Sequence, residues 1–345
     1  MVDVLRKKFR FCTYPTKNLC IDESLMLWKG RLIFKVYIPS KRNRFGIKFF
    51  LLVDCASKIV LDFIIYTGHE SQIKMNNEVG ISGSIVMTMM APFLNKGHNL
   101  YVDNWYSSPN LFKLLYNNKT GACGTVRKNR TGMPKLERRL NQGEVENKCD
   151  GNMLALKWKD KREVHMLSTI HDSSMIKTRK RKRNGMFVYK PICVHDYSQN
   201  MGGVDKVDMQ ISFTESIRKT VKWSKKVFFH MLDLSIFNSY AIYKHKKTLE
   251  LSFYEFKLDL VRNIFEKYKQ QEFPKQSTFD PNSRLRGRHF PQKREKRKQC
   301  VVCKVRKNDQ SIRSFIYCKQ CNVALCVDGC FEIYHTVENL ENKSS

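Results

Sequence analysis

Apolar runs of membrane-spanning length are missing from this sequence. No stretch of about 18 apolar residues occurs, so no transmembrane helix is expected. The opening MVDVLRKKFRF lacks a long apolar core and does not read as a signal peptide. No internal repeat is present. Acidic residues are scarce: 32 stand against 63 basic ones, a formal net charge of +31. Such an imbalance predicts a polyanionic partner, most simply nucleic acid. A membrane surface fits less well, because no basic amphipathic anchor stands out. The plain alternative is a basic but otherwise ordinary protein.

What is present is enough for a sizeable core. The chain has 345 residues, 42% of them hydrophobic, and reads as two domains or one large domain with an appendage. Its 12 cysteines are unevenly spread: six are scattered and six crowd into 300–330. Without a secretory signal, the cluster points to metal binding and the scattered ones to reduced thiols.

Along the chain, residues 31–66 read as strands, with a turn near Ala56–Ser57. A helix is predicted over 82–95 from the spacing of Ile85, Met89 and Phe93. The strand NLYVD and a helix from Pro109 follow. Residues 121–185 differ: GACGTVRKNRTG is turn-rich, LALKWKD and EVHMLSTI suggest a hairpin, and TRKRKRN (178–184) an exposed basic loop. MFVYKPICVHDY reads as a strand. Trp223, Val227, Met231, Leu234, Asn238 and Ala241 predict a long helix over about 221–247, and another covers about 252–271. Pro-, Arg- and Lys-rich residues 273–299 read as a linker.

Four aspartates sit where a scaffold could present them. Asp22 follows a short apolar stretch, Asp103 ends the strand in LYVDNWYSSPNLFKLL, and Asp205 and Asp208 lie in GGVDKVD before helical sequence. Three apart, the last two share a helix face, and Gly202–Gly203 permits a tight turn or close approach. Each alone reads as a helix N-cap or surface residue. Together they suit a site for two magnesium ions, which take oxygen ligands and few protein contacts and stabilise both oxygens of an in-line phosphoryl displacement.

CIDESLMLWKGRLIFKVYIPSKRNRFGIKFFLLVD, YVDNWYSSPNLFKLL and YSQNMGGVDKVDMQISF, with KWSKKVFFHMLDLSIFNSYAIYKHK behind them, resemble the transposase domain of piggyBac-type elements, in order, over about residues 15–335. The resemblance implies an α/β fold: an RNase H-like mixed sheet flanked by helices and split by a β-rich insertion. It places the family's catalytic aspartate triad on Asp22, Asp103 and Asp205, with Asp208 as a fourth functional carboxylate. The implied chemistry is Mg²⁺- or Mn²⁺-dependent nicking at transposon ends, strand transfer through a hairpin, and insertion at TTAA sites in double-stranded DNA. Family members carry a long N-terminal part that serves dimerisation and DNA binding. Only 21 residues precede Asp22 here. The expectation is therefore a truncated chain, with autonomous transposition and homodimer formation put in question.

The tail reads Cys300-x2-Cys303, Cys318-x2-Cys321, Cys326-x3-Cys330, then His335. Paired C-x2-C knuckles are a zinc signal. Seven ligands exceed one site, and His289 is a candidate eighth, giving a two-zinc cross-brace; one zinc plus free cysteines is the alternative. So short a segment would draw its folding energy from zinc. By resemblance the tail binds transposon-end DNA; a cross-brace can also bind proteins.

Two basic blocks, Arg179-Lys180-Arg181-Lys182-Arg183 and Lys293-Arg294-Glu295-Lys296-Arg297-Lys298, suit phosphate contacts, nuclear localisation or a solvated loop. Trp223, within KWSKK, and His230 read as core residues. Asp54 belongs to a strand turn, and Glu23 points away from Asp22 because strand neighbours face opposite sides. The expected organisation is 1–120 and 186–272 as the two parts of a catalytic core, 121–185 as the insertion, 273–299 as a basic linker and 300–345 as the zinc domain. The leading function is a nuclear piggyBac-like transposase or a domesticated derivative. The competing functions are a catalytically silent DNA-binding protein and a zinc-dependent interaction module on an inactive core.

Overall fold

A computed structural model of the chain describes residues 1–39, 44–68, 71–181, 185–216, 219–246, 251–269, 283–306 and 312–340. The described residues form two compact units, 1–262 and 263–345. The first begins with helix α1 (Val2–Phe11) and strands β1 (Asn18–Leu27), β2 (Val36–Tyr37), β3 (Phe45–Asp54) and β4 (Val60–Ile65). Helix α2 (Gly80–Met90), strand β5 (Asn99–Val102), helix α3 (Pro109–Asn117) and strands β6 (Gly121–Thr125), β7 (Val145–Asp150), β8 (Met153–Lys159) and β9 (Glu163–Ser168) follow. A hairpin of β10 (Met175–Arg181) and β11 (Phe187–Pro191) leads into helices α4 (Ile192–Asn200), α5 (Gly203–Phe213) and α6 (Trp223–Lys246). Helix α7 (Phe253–Lys269) spans the boundary between the units.

Nine strands make one mixed sheet, ordered β2-β3-β1-β5-β6-β9-β8-β7, with β4 also on β3. Strands β1, β5 and β6 run parallel, and β3 and β4 are antiparallel to their neighbours. The parallel trio is apolar on both faces, as a strand covered on both sides requires: Leu19, Cys20, Ile21, Leu100, Tyr101, Val102, Ala122 and Cys123 are all buried. Helix α3 is the crossover between β5 and β6. Its N-cap is Ser108, whose Oγ accepts from the Leu111 amide.

Helix α6 shows the predicted stripe, with Val227, Met231, Leu234, Asn238 and Ala241 buried. Asn238 is tolerated in the core because its amide bonds both the N–H and the C=O of Val60, each at 2.8 Å. Trp223 departs from expectation: it is 38% exposed at the start of the helix, packed T-shaped with Phe34 at 5.3 Å between ring centres. His230 is core, against the Phe49 ring, but its Nε2 has no hydrogen-bond partner among the described residues. Burial lowers its pKa from 6.5 to about 4. A depressed histidine pKa contributes stability that is full above the unfolded value and lost as pH falls toward the folded one. Urea unfolding at pH 7 and pH 4.5 will show an acid loss of about 2 kcal/mol attributable to His230. In His230→Phe that part of the acid limb will flatten.

Three further departures follow, each with its own cause. Gly121–Thr125, expected as turn, is a central strand. Its glycines answer packing: a Cβ on Gly121 would lie 2.2 Å from Ile170, and one on Gly124 2.4 Å from the Val102 carbonyl. Strands β7–β9 continue the same sheet through the β6–β9 pair. Part of the basic loop expected at 178–184 is strand, in β10; Lys182 and Arg183 lie outside the described residues. MFVYKPICVHDY divides at Pro191, where β11 stops and α4 starts, because proline suits a helix entry but cannot feed a ladder.

In the second unit, the end of the expected linker is strand β12 (Pro291–Gln299), paired antiparallel with β13 (Arg313–Cys318). Short helices α8 (Val301–Val305) and α9 (Cys330–Thr336) complete it. Its buried apolar set is small: Val302, Leu325 and Tyr334 among cysteines.

Candidate active site and metal centres

Asp22 lies in the middle of β1 and Asp103 directly after β5. The parallel register pairs Ile21 with Val102, so the two aspartates are the next step of the same ladder. Cys20, Asp22 and Ser24 alternate onto one face of β1. Helix α5 lies against that face: a Cβ on Gly203 would come 2.5 Å from Cys20 Sγ and 3.4 Å from Val53. Glycine here is what lets the start of α5 approach the strand. Asp205 stands in the first turn of α5. One turn on, Asp208 accepts a 2.6 Å hydrogen bond from Ser24 Oγ. The four sequence-chosen aspartates thus stand on neighbouring elements: β1, the end of β5 and α5.

They do not form a closed cage. Among the described residues, only two groups of three or more His, Cys, Asp or Glu ligand atoms lie within 4.8 Å of one another, and neither contains an aspartate.

The capping alternative for Asp103 goes to Ser108 instead. Asp103 Oδ1 accepts from the Trp105 amide at 2.8 Å, fixing the turn after β5. Burial raises the Asp103 pKa, partly countered by the Trp105 amide, and Glu23 pushes it further the same way. Arg127 acts in the opposite sense, and Arg130 Nη2 donates to the carbonyls of Asn104 and Trp105 at 2.6 and 3.1 Å.

Glu23 does face away from Asp22, opposite Phe50 where Asp22 stands opposite Leu51. It is nevertheless part of the surroundings of Asp103, as is Lys48. Sequence reasoning missed Lys48. Its one signal was a lone cation inside the apolar run GIKFFLLVD. Asp54, by contrast, is the turn residue expected, accepting from Thr16, Ala56 and Ser57.

A second unforeseen group braces these elements. Asp196 of α4 accepts from Tyr101 Oη on β5 at 2.6 Å and stands 3.0 Å from His171 Nε2. Tyr101 is two residues before Asp103, and α4 leads into the Asp205 helix.

In the second unit, eight ligands fall into two sets: Cys300, Cys303, Cys326, Cys330 and His289, Cys318, Cys321, His335. The sets interleave along the chain, as in a cross-brace. A tetrahedral zinc with 2.3 Å Zn–S bonds has an S···S edge of about 3.8 Å, and an S···N edge of about 3.5 Å. Cys303 Sγ lies 3.8 Å from Cys326 Sγ and 3.6 Å from Cys330 Sγ. Cys321 Sγ lies 3.3 Å from His289 Nδ1 and 3.6 Å from His335 Nε2. These sulfurs are too far apart for disulfides. The imidazoles are set by their other nitrogens: His335 Nδ1 meets the Phe331 carbonyl at 2.7 Å, and His289 Nε2 that of Arg286 at 3.1 Å. Burial, then hydrogen bonding to neighbouring thiols, pushes Cys321 up to about 11 and Cys326 to about 12. A divalent ion is the natural counter-charge for such crowded thiols. The residues fit zinc.

Among the described residues, the second basic block is exposed strand rather than loop, and the first is strand as far as Arg181. On β12, Arg294 stacks on Tyr317 at 4.3 Å and Arg297 on Phe315 at 4.6 Å, with Lys293 at 5.9 Å. Lys296 and Lys298 line neighbouring hollows of the same strand. On β10, Arg181 stacks on Phe187 at 4.5 Å, while Arg179 is exposed.

Comparison with known proteins adds family context. Residues 1–240 match the family model described as transposase IS4, and residues 284–336 that of the DDE_Tnp_1-like zinc finger. The chain is 26% identical over 334 residues to PiggyBac transposable element-derived protein 3 of Homo sapiens, covering 91% of this chain and 54% of that protein. It is 22% identical over 191 residues to PiggyBac transposable element-derived protein 2 of Homo sapiens, covering 50% of this chain and 31% of the relative. The chain thus spans about half the length, or less, of these relatives. A cryo-EM structure of the piggyBac transposase synaptic complex with hairpin DNA superposes with a TM-score of 0.65 at 26% identity, over 91% of this chain and 68% of that one.

Proposed function

The chain belongs to the piggyBac-related transposase family, and from that premise we propose that it cuts and joins DNA strands at TTAA sites through a carboxylate centre made by Asp22, Asp103 and Asp205. The observation that carries this reading is the placement of those three side chains. They come from adjacent parallel strands and from a helix packed on one of them. We read the five strands β1 and β3–β6 as an RNase H-like core. Asp22, Asp103 and Asp205 would hold Mg²⁺ or Mn²⁺, which supplies charge to stabilise the attacking and leaving oxygens of a phosphoryl displacement.

The chain's own residues account for the rest. Asp208, bonded to Ser24, keeps the Asp205 turn of α5 on β1. The basic strand β12 and the exposed Arg179 and Arg181 offer phosphate contacts, and the zinc unit would present β12 to duplex DNA. Nuclear localisation follows from the same reading. Among the described residues, no helix is long and apolar enough to cross a membrane.

One observation favours a second reading, a DNA-binding derivative without cleavage: the aspartates are not drawn into a set of three. Supercoiled plasmid carrying a TTAA site separates the two. The transposase reading expects open-circle product with Mg²⁺ or Mn²⁺ and none in EDTA. Salt-sensitive binding with no product under either condition would leave only the binder.

A further inference from the structure

The centre described above has carboxylates to hold metal ions, but nothing so far assigned to hold the phosphate being cut. Lys48 of β3 stands opposite Leu25 and shares a face with Glu23 and Phe50. Its ammonium is enclosed by three rings, 4.7 Å from the centre of Phe50 and 5.0 Å from both Tyr66 and Trp105. Phe50 and Trp105 are within 10° of parallel, 5.9 Å apart. Aromatic faces attract a cation and hold it in place. They do not accept three N–H bonds. Glu23 on the same face and Asp103 beyond the end of β5 act on it through space, but among the described residues Lys48 Nζ makes no hydrogen bond or ion pair, and its stem is half-buried.

The cage is tied to the site. The amide of Trp105 binds Asp103 Oδ1, and the ring of Trp105 is one wall around Lys48. Trp105 therefore links Asp103 to the wall around the Lys48 ammonium. A cation kept upright by aromatic walls, with its donors unfilled and a carboxylate of the metal centre beside it, is suited to an anion that arrives with the metal. Metal ions offset the carboxylate charge, and a phosphate oxygen then completes the ammonium's bonding. Resting on the function proposed above, we propose that Lys48 is a catalytic residue that donates to a non-bridging oxygen of the scissile DNA phosphate.

The test compares Lys48→Met, Lys48→Arg and wild type on a 5′-labelled duplex carrying a TTAA junction. Methionine fills the cage and contacts the rings favourably, so the fold is kept; thermal melting checks it. At saturating DNA, Lys48→Met should lower single-turnover cleavage by about 100-fold or more, the scale of one lost donor to a developing charge. Lys48→Arg should recover part of it. The slope of log affinity against log salt should shrink by about 0.9 in Lys48→Met, one phosphate contact. Cleavage by Lys48→Met within a few-fold of wild type would overturn the proposal. So would equal losses in both variants with lowered melting temperatures, which would make Lys48 a packing residue. If wild type itself makes no cut, the transposase reading fails, and Lys48 is judged by the salt slope: unchanged, it is no phosphate ligand; reduced, the contact stands.

Discussion

Cys326→Ser will release zinc and unfold residues 284–336 while the larger unit melts as in wild type. Cys326 belongs to the four-thiolate set, where Cys303 bridges the two halves at 3.6–3.8 Å. Serine removes one ligand and leaves three crowded sulfurs around a weakened site. The segment has little else to hold it: its buried apolar side chains are few, and a cluster that small cannot offset the entropy of ordering the chain. A structural zinc in a small unit contributes about 10–16 kcal/mol of binding free energy, which is also folding free energy. The two sets interleave in sequence, so losing one ion should loosen the other. Metal analysis should find two zincs per wild-type chain and at most one in the variant, and limited proteolysis should cut the variant between 284 and 336. One zinc in wild type, or a protease-resistant variant, would contradict the two-ion assignment. Since the thiols must lose protons to bind, zinc affinity will fall as pH is lowered.

The second large effect concerns Asp103, and it has two opposite signs. Asp103→Asn should lower metal-dependent cleavage by about a thousandfold or more, the cost of losing several kcal/mol of charge stabilisation. The same change should leave the metal-free fold at least as stable. Burial raises the Asp103 pKa, with Glu23 adding to it, so the ionised form is disfavoured in the fold. A raised carboxylate pKa contributes stability that is full at low pH and lost as pH rises through the folded value. At neutral pH the ionised group is thus a burden, which asparagine removes without losing the bond from the Trp105 amide. Metal reverses the balance for wild type alone. Melting of the zinc-loaded proteins without and with added Mg²⁺, in the absence of chelator, should therefore show stabilisation by Mg²⁺ in wild type and almost none in Asp103→Asn.

How much of this could be read beforehand depends on whether the signal was local. The α6 stripe was visible because five buried positions recur at helical spacing. The zinc ligands were visible because each C-x2-C knuckle is a local unit, and His289, 29 residues before the nearest of its partners, joined only as a candidate to complete the count. What escaped is non-local. Gly121 and Gly124 look like turn residues until Ile170 and Val102 are seen pressing on them. The lysines and arginines of 293–298 look like a linker until Tyr317 and Phe315 lie beneath them. Trp223 fitted the helical spacing, but the first residue of a helix has no preceding turn to cover it. Lys48 depends on rings from three places in the chain, and Glu23 was set aside by an alternation that holds, because Asp103 sits just beyond the strand end where alternation no longer separates them.

The most direct measurement is single-turnover cleavage of a 5′-labelled duplex ending at a TTAA junction, in Mg²⁺ or Mn²⁺, with DNA binding recorded on the same samples for wild type and Asp103→Asn. A metal-dependent cut at the junction by wild type, absent from a variant that still binds, is the expected result. Equal cutting by both, or no cut by a zinc-loaded wild type that binds the duplex, would contradict a catalytic centre at Asp22, Asp103 and Asp205.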